Sequence, residues 1–220
     1  NGTTGVNAAA ITVNLKGEIF AGIRGDDGNL GTSYNNVGGA IGRSVGNSCS
    51  GNIIVTFSGN AKVEGGNNIG GIIGFDEGTN ISSTMTVLIP VKCMVRGYGA
   101  DGCVGGVIGK LTGNSSGALN SIISNINGDV ISSGGNVGGA IGYVKYGDSC
   151  SFNVANVAVT MTGIVQGAGS DVGGAIGHLE STKKYVTFNT ITAELQGKAK
   201  VQGIDCVGGV LGYTECNIKK

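Results

Sequence analysis

The sequence predicts an all-β fold, a parallel β-solenoid, on three grounds. A six-residue motif recurs six times, apolar residues alternate with Thr and Asn between its copies, and the composition is rich in Gly and β-branched residues with no Trp. The motif reads Val37-Gly38-Gly39-Ala40-Ile41-Gly42 and returns at 69–74, 104–109, 137–142, 172–177 and 207–212. Its Gly-Gly pairs begin at 38, 70, 105, 138, 173 and 208, so successive copies lie 32, 35, 33, 35 and 35 residues apart. A fixed period of roughly 20–50 residues marks a solenoid, a propeller or an array of stacked units. A propeller blade needs four strands and roughly 40 residues, whereas each copy here offers two clear strands, with room for a third.

Each element of the repeat has a physical reason. Ile11, Val13 and Leu15 alternate with Thr12 and Asn14, and the same period of two runs through Ile53, Val55, Phe57, through Val157, Val159, Met161 and through Ile191, Ala193, Leu195. That period describes a strand with one buried face. Glycines such as Gly59, Gly65 and Gly66, or Gly163, Gly167 and Gly169, then supply a turn. Paired glycines inside an apolar segment mark a corner where backbones approach closely. Stacked copies bury one another's apolar faces, so the whole chain, 1–220, reads as a single repeat domain. At one coil per copy its length is roughly 30 Å. The period of about 34 residues also admits two coils per copy, or one coil with protruding loops.

Composition excludes several alternatives. There is a single Pro and no Gly at every third position, which excludes collagen. Gly, at 45 of 220 residues, opposes helices at about 1 kcal/mol each. Fourteen basic and fourteen acidic residues spread along the chain leave no field to draw a polyanion, so no nucleic-acid partner is expected. The longest apolar run, Met85 to Val95, is broken by Pro90 and Lys92 and is too short for membrane insertion.

Six cysteines, Cys49, Cys93, Cys103, Cys150, Cys206 and Cys216, without CxxC or a Cys/His cluster, read as disulfide candidates and point to an oxidising, extracellular or cell-surface setting. Local bridges Cys93–Cys103 and Cys206–Cys216 are among the 15 possible connectivities of six cysteines, and the sequence does not choose.

The V-G-G-x-I-G copies, each followed by a Gly/Ser loop, an Asn/Ser and apolar run and a glycine turn, resemble the GLUG-motif repeats of bacterial surface and secreted proteins. The likeness runs from about Asn29 to Gly212. The family's Leu-Val after the glycine pair is Ala-Ile, Ile-Ile, Val-Ile or Val-Leu here. The resemblance implies passive architecture in adhesins and stalks, and it carries over no catalytic residue.

Other motifs yield bland readings. Six Gly-Gly-x-x-Gly copies lack the Lys and the following helix of a phosphate loop, so no cofactor is expected. Gly113-Asn114-Ser115-Ser116-Gly117 has nucleophile-elbow spacing, but its one conceivable base is His178. That residue follows a motif where other copies carry Arg43, Phe75, Lys110, Tyr143 and Tyr213, a variety that suggests a solvated loop entrance. No catalytic residue is assigned. Arg24-Gly25-Asp26 is a receptor-docking tripeptide if exposed. Asn36, Asn68, Cys103, Asn136, Asp171 and Cys206 precede the motifs as a stacked turn ladder. Only Asp26-Asp27 and Asp76-Glu77 approach a calcium loop, so no metal is assigned.

The function expected is an extracellular structural or adhesive repeat protein, a filament or appendage subunit associating end to end with itself or with other surface proteins, or holding glycans or a host surface. The T-x-T pairs Thr84/Thr86, Thr160/Thr162 and Thr190/Thr192 offer ice binding by a flat face as the alternative, although Ser121 and Thr56 break the row. A polysaccharide-cleaving β-helix would need facing carboxylates that the sequence does not cluster.

Overall fold

A computed structural model describes residues 10–24, 30–46, 48–78, 80–113, 117–147, 152–181, 186–215 and 218–219. It is all-β, and its strands stack in parallel into a β-solenoid. Each copy of the motif contributes one coil with four strands, which resolves the choice left open by the period. The Val or Ile that opens each motif pairs with its counterpart in the next coil, Val37 with Ile69, Ile69 with Val104, and so on to Val172 with Val207. The strand register thus repeats the spacing of the glycine pairs in the sequence. Four parallel sheets result, and the two motif sheets hold six strands each. At about 4.8 Å per coil the rod is about 29 Å long.

The first sheet holds the longest strands: Ala10–Leu15, Asn52–Phe57, Asn80–Ile89, Gly117–Ile126, Phe152–Met161 and Val186–Leu195, with the short Ile218–Lys219 beyond them. The second stacks Glu18–Phe20, Lys62–Gly65, Met94–Gly97, Asp129–Ser132, Ile164–Gly167 and Lys200–Gln202. Its inward row is Ile19, Val63, Val95, Val130, Val165 and Val201. The motif supplies the third and fourth sheets. Val37–Gly38 belongs to one and Ile41–Val45 to the other, with the bend at Gly39 and Ala40.

The glycine pairs do what an apolar corner requires. A Cβ on Gly139 would sit 2.1 Å from the Gly174 carbonyl oxygen in the next coil and 3.0 Å from Val159 across the core. The equivalent glycines 39, 71, 106 and 174 are equally confined, by the next coil's carbonyl at 2.0–2.1 Å. The interior is therefore one side chain thick at this corner, and the sheet opposite packs straight onto bare backbone. Val, Ile and Ala fill such a space, which accounts for a buried core with so few aromatics.

The ladder of turn residues before the motif holds for five of its six members; Cys103 does not share their left-handed backbone. Asn36, Asn68, Asn136, Asp171 and Cys206 all have φ between 51° and 64°, the left-handed region that Asn and Asp tolerate best. The Asn68 amide donates to Asn36 Oδ1 at 2.8 Å. In the first coil an antiparallel hairpin, Gly22–Arg24 with Leu30–Ser33, is inserted between the second and third sheets. It lengthens that coil without disturbing the stack, as Ala10 pairs with Asn52, 42 positions on, where the other coils pair residues 32–38 positions apart.

Candidate neutral binding face

The most regular surface lies on the outside of the first sheet, where alternate residues of each long strand line up in three rows along the rod. One runs Ala10, Asn52, Thr84, Ser121, Asn156, Thr190. The next runs Thr12, Ile54, Thr86, Ile123, Ala158, Thr192, and the third Asn14, Thr56, Leu88, Asn125, Thr160, Glu194. Among these eighteen positions Glu194 alone is charged. Side chains repeat at about 4.8 Å along the rod and at about 6.6 Å across it, two residues of strand. The rows share few mutual bonds, one being the Thr84 amide donating to Asn52 Oδ1 at 3.1 Å.

Beside the rows the long strands bend, because the pairing skips Ser82-Ser83, Asn120, Ala155 and Asn189. Ser83 turns inward and donates to the Gly51 carbonyl at 2.6 Å. The outer side of this bend is an open groove of about 540 Å³ lined by Ser82, Ala118, Asn120, Asn153, Ala155 and Asn189, floored by Leu119 and Val154. Its polar groups are carboxamides and hydroxyls. Such a groove can donate and accept hydrogen bonds to a neutral ligand and can stack small apolar patches, and it offers no acid–base pair.

The sequence reading placed the Thr faces correctly in part. Thr84 and Thr190 share the first row, and Thr86 and Thr192 the second. Thr162, however, leaves the strand: it follows Met161, is exposed, and its hydroxyl donates to Asn127 Oδ1 at 2.9 Å in the preceding turn.

A second ordered surface was missed by the sequence reading. The residues after each motif are not a solvated loop entrance; they form an outward row of the fourth sheet, in register as Arg43, Phe75, Lys110, Tyr143, His178 and Tyr213. Arg43 lies over Phe75 at 5.5 Å, and Lys110 lies 5.9 Å from Phe75 and 5.3 Å from Tyr143. The His178 ring sits 4.9 Å from Tyr143 and 5.0 Å from Tyr213. The available signal was that all six positions hold a ring or a cation, the pair types that attract when stacked. The adjacent outward row adds Glu77, ion-paired to Arg43 at 2.8 Å, and Glu180, ion-paired to Lys145 at 2.8 Å and hydrogen-bonded by the Tyr143 hydroxyl. Burial acts to raise the Glu180 pKa, but hydrogen bonds from Lys145 and Tyr143 and the positive charge nearby outweigh it and hold the carboxyl below its ordinary range. Burial and the bond to Glu180 push the Tyr143 phenol up.

His178 is therefore not solvated. Its side chain is 14% exposed and its Nδ1 lies 2.8 Å from Asp171 Oδ2. Residues 114–116 of the elbow-like motif fall outside the described residues, and His178 stands two coils beyond Gly113. In the receptor tripeptide, Arg24 ends a hairpin strand, and Gly25 and Asp26 lie outside the described residues. The same holds for Asp27. Asp76 is buried while Glu77 faces outward to Arg43, so that pair does not converge on a cation. Among the described residues no three His, Cys, Asp or Glu side chains gather as metal ligands.

The disulfide expectation needs correction for three cysteines: Cys93, Cys103 and Cys206 are free thiols. Cys103 and Cys206 occupy the same place three coils apart, about 14 Å at 4.8 Å per coil, beyond the roughly 7 Å reach of a bridge. Cys93 and Cys103 are kept apart by the strand Met94–Gly97, whose far end packs on Val104. Burial pushes both thiols up, that of Cys103 to about 11. The side chain of Cys49, and Cys150 and Cys216 altogether, lie outside the described residues.

Fold and surface together define a parallel β-solenoid with one neutral, hydrogen-bonding face and one laced with cations and rings. No family model, curated protein or solved structure matches the chain.

Proposed function

We propose that this chain is a non-catalytic, extracellular structural and adhesive repeat protein, a rod that holds neutral, hydroxyl-rich glycan chains along its first sheet. The carrying observation is the nearly uncharged face with its amide-lined groove, to which three successive coils contribute Asn120, Asn153 and Asn189. Sugars present hydroxyl donors and acceptors around small apolar patches, and carboxamides beside Ala and Leu answer both. The resemblance to GLUG repeats of surface proteins supports the location. A glycan array with the purified chain tests this: binding to neutral polysaccharides is expected, with at least about tenfold loss on Asn153→Asp, since an added charge must be desolvated without a partner. No glycan bound on the array would overturn it.

A second reading, ice binding, draws on the in-row pairs Thr84/Thr190 and Thr86/Thr192. Ice-recrystallisation assays separate the two, because Thr86→Lys in the flat rows would abolish ice inhibition while leaving the groove intact.

A further inference from the structure

The last described coil carries a glycine without the confinement its counterparts share. In the five earlier copies the second glycine of the pair faces the next coil's carbonyl at 2.0–2.1 Å from an added Cβ, the last of these contacts running from Gly174 to Gly209. Among the described residues a Cβ on Gly209 would meet nothing within 4 Å, and its backbone is not left-handed. Only a further coil gives Gly209 the reason its counterparts have. The opposite end mirrors this. Gly74, Gly109, Gly142, Gly177 and Gly212 each face a glycine carbonyl of the preceding coil at 2.6–2.7 Å, whereas among the described residues Gly42 meets only Asn36 of its own coil.

We propose that the C-terminal end of one copy docks in register on the N-terminal end of a second copy. Between them they complete one shared coil. Ile218–Lys219 has already begun that coil on Val186 and Thr187, leaving the edge from Thr190 to Leu195 for another strand. Ala10–Leu15, the first described strand, occupies the matching positions, with Ala10 in line with Thr190. Continuing the register brings Lys200 against Glu18, Val201 against Ile19, and Tyr213 against Arg43, so opposite charges meet and the cation–ring ladder gains a seventh member in the order it already follows. The contact would also cover Val207, 46% exposed where Val172 is 0%, and Leu195, 43% exposed. Because the joining surfaces differ, the association is open-ended.

End-to-end docking does not depend on glycan binding. Sedimentation velocity and electron microscopy of the 220-residue chain over a rising micromolar series should show fibres one solenoid wide. Gly209→Ala should keep the wild-type melting temperature and remain single particles. Lys200→Glu should raise the concentration of half-assembly several-fold, and Glu18→Lys combined with Lys200→Glu should lower it again. Single particles at every concentration, closed dimers that do not grow, or normal assembly of Gly209→Ala would each overturn the proposal. Single particles that still bind glycan would sink it while sparing the adhesive reading.

Discussion

Gly139 and Gly209 hold the same place in the repeat and differ only in what lies beyond them. A methyl group on Gly139 would overlap the Gly174 backbone at 2.1 Å, and backbone cannot yield as a side chain does. Gly139→Ala should therefore cost about 3 kcal/mol, the upper range for overpacking a core, read as a lowered midpoint in chemical denaturation. Lys92, by contrast, occupies a left-handed position, φ 72°, in a turn closed by the Cys93 amide donating to the Pro90 carbonyl at 3.0 Å. The glycine pairs were legible in the sequence as a corner because they repeat six times at a nearly constant interval. The free state of Cys93 and Cys103 was not, since disulfide reach depends on which corner each residue occupies, and spacing along the chain does not contain that.

At the scale of the strand, the fourth sheet shows how neighbours in space escape a linear reading. Arg43, Phe75, Lys110, Tyr143, His178 and Tyr213 look unrelated when read one at a time, and only parallel register makes them a stack. The long strands were easier, because alternation within one strand already states which residues face in. Glu180 gives this ladder a pH signature. Its folded pKa lies below the ordinary value of 4.5, so its contribution is present above the unfolded value and is lost as pH falls through the folded one. Glu180→Gln should melt earlier than wild type at neutral pH, and the two melting curves should converge as acidity increases past the ordinary carboxylate range. A gap that persists at low pH would assign the effect to packing rather than charge.

For the whole molecule, the decisive quantity is the register, and the sequence carried it openly as the interval between glycine pairs. The number of strands per coil was less visible, because the first motif strand is as short as Val37–Gly38 and shows no alternation to count. The hairpin in the first coil extends this point. Gly22–Arg24 and Leu30–Ser33 leave and rejoin the coil between the second and third sheets, and the strands on either side stay in step with the coil above. Coil length can thus grow sideways without lengthening the rod. The same corner in the third coil, between Tyr98 and Cys103, should accept a foreign peptide of about ten residues with little change in melting temperature, given the weak dependence of closure entropy on loop length. Six such corners lie along one side of the molecule, and a chain built this way is a ready rack for displaying guest segments at fixed, coil-height intervals.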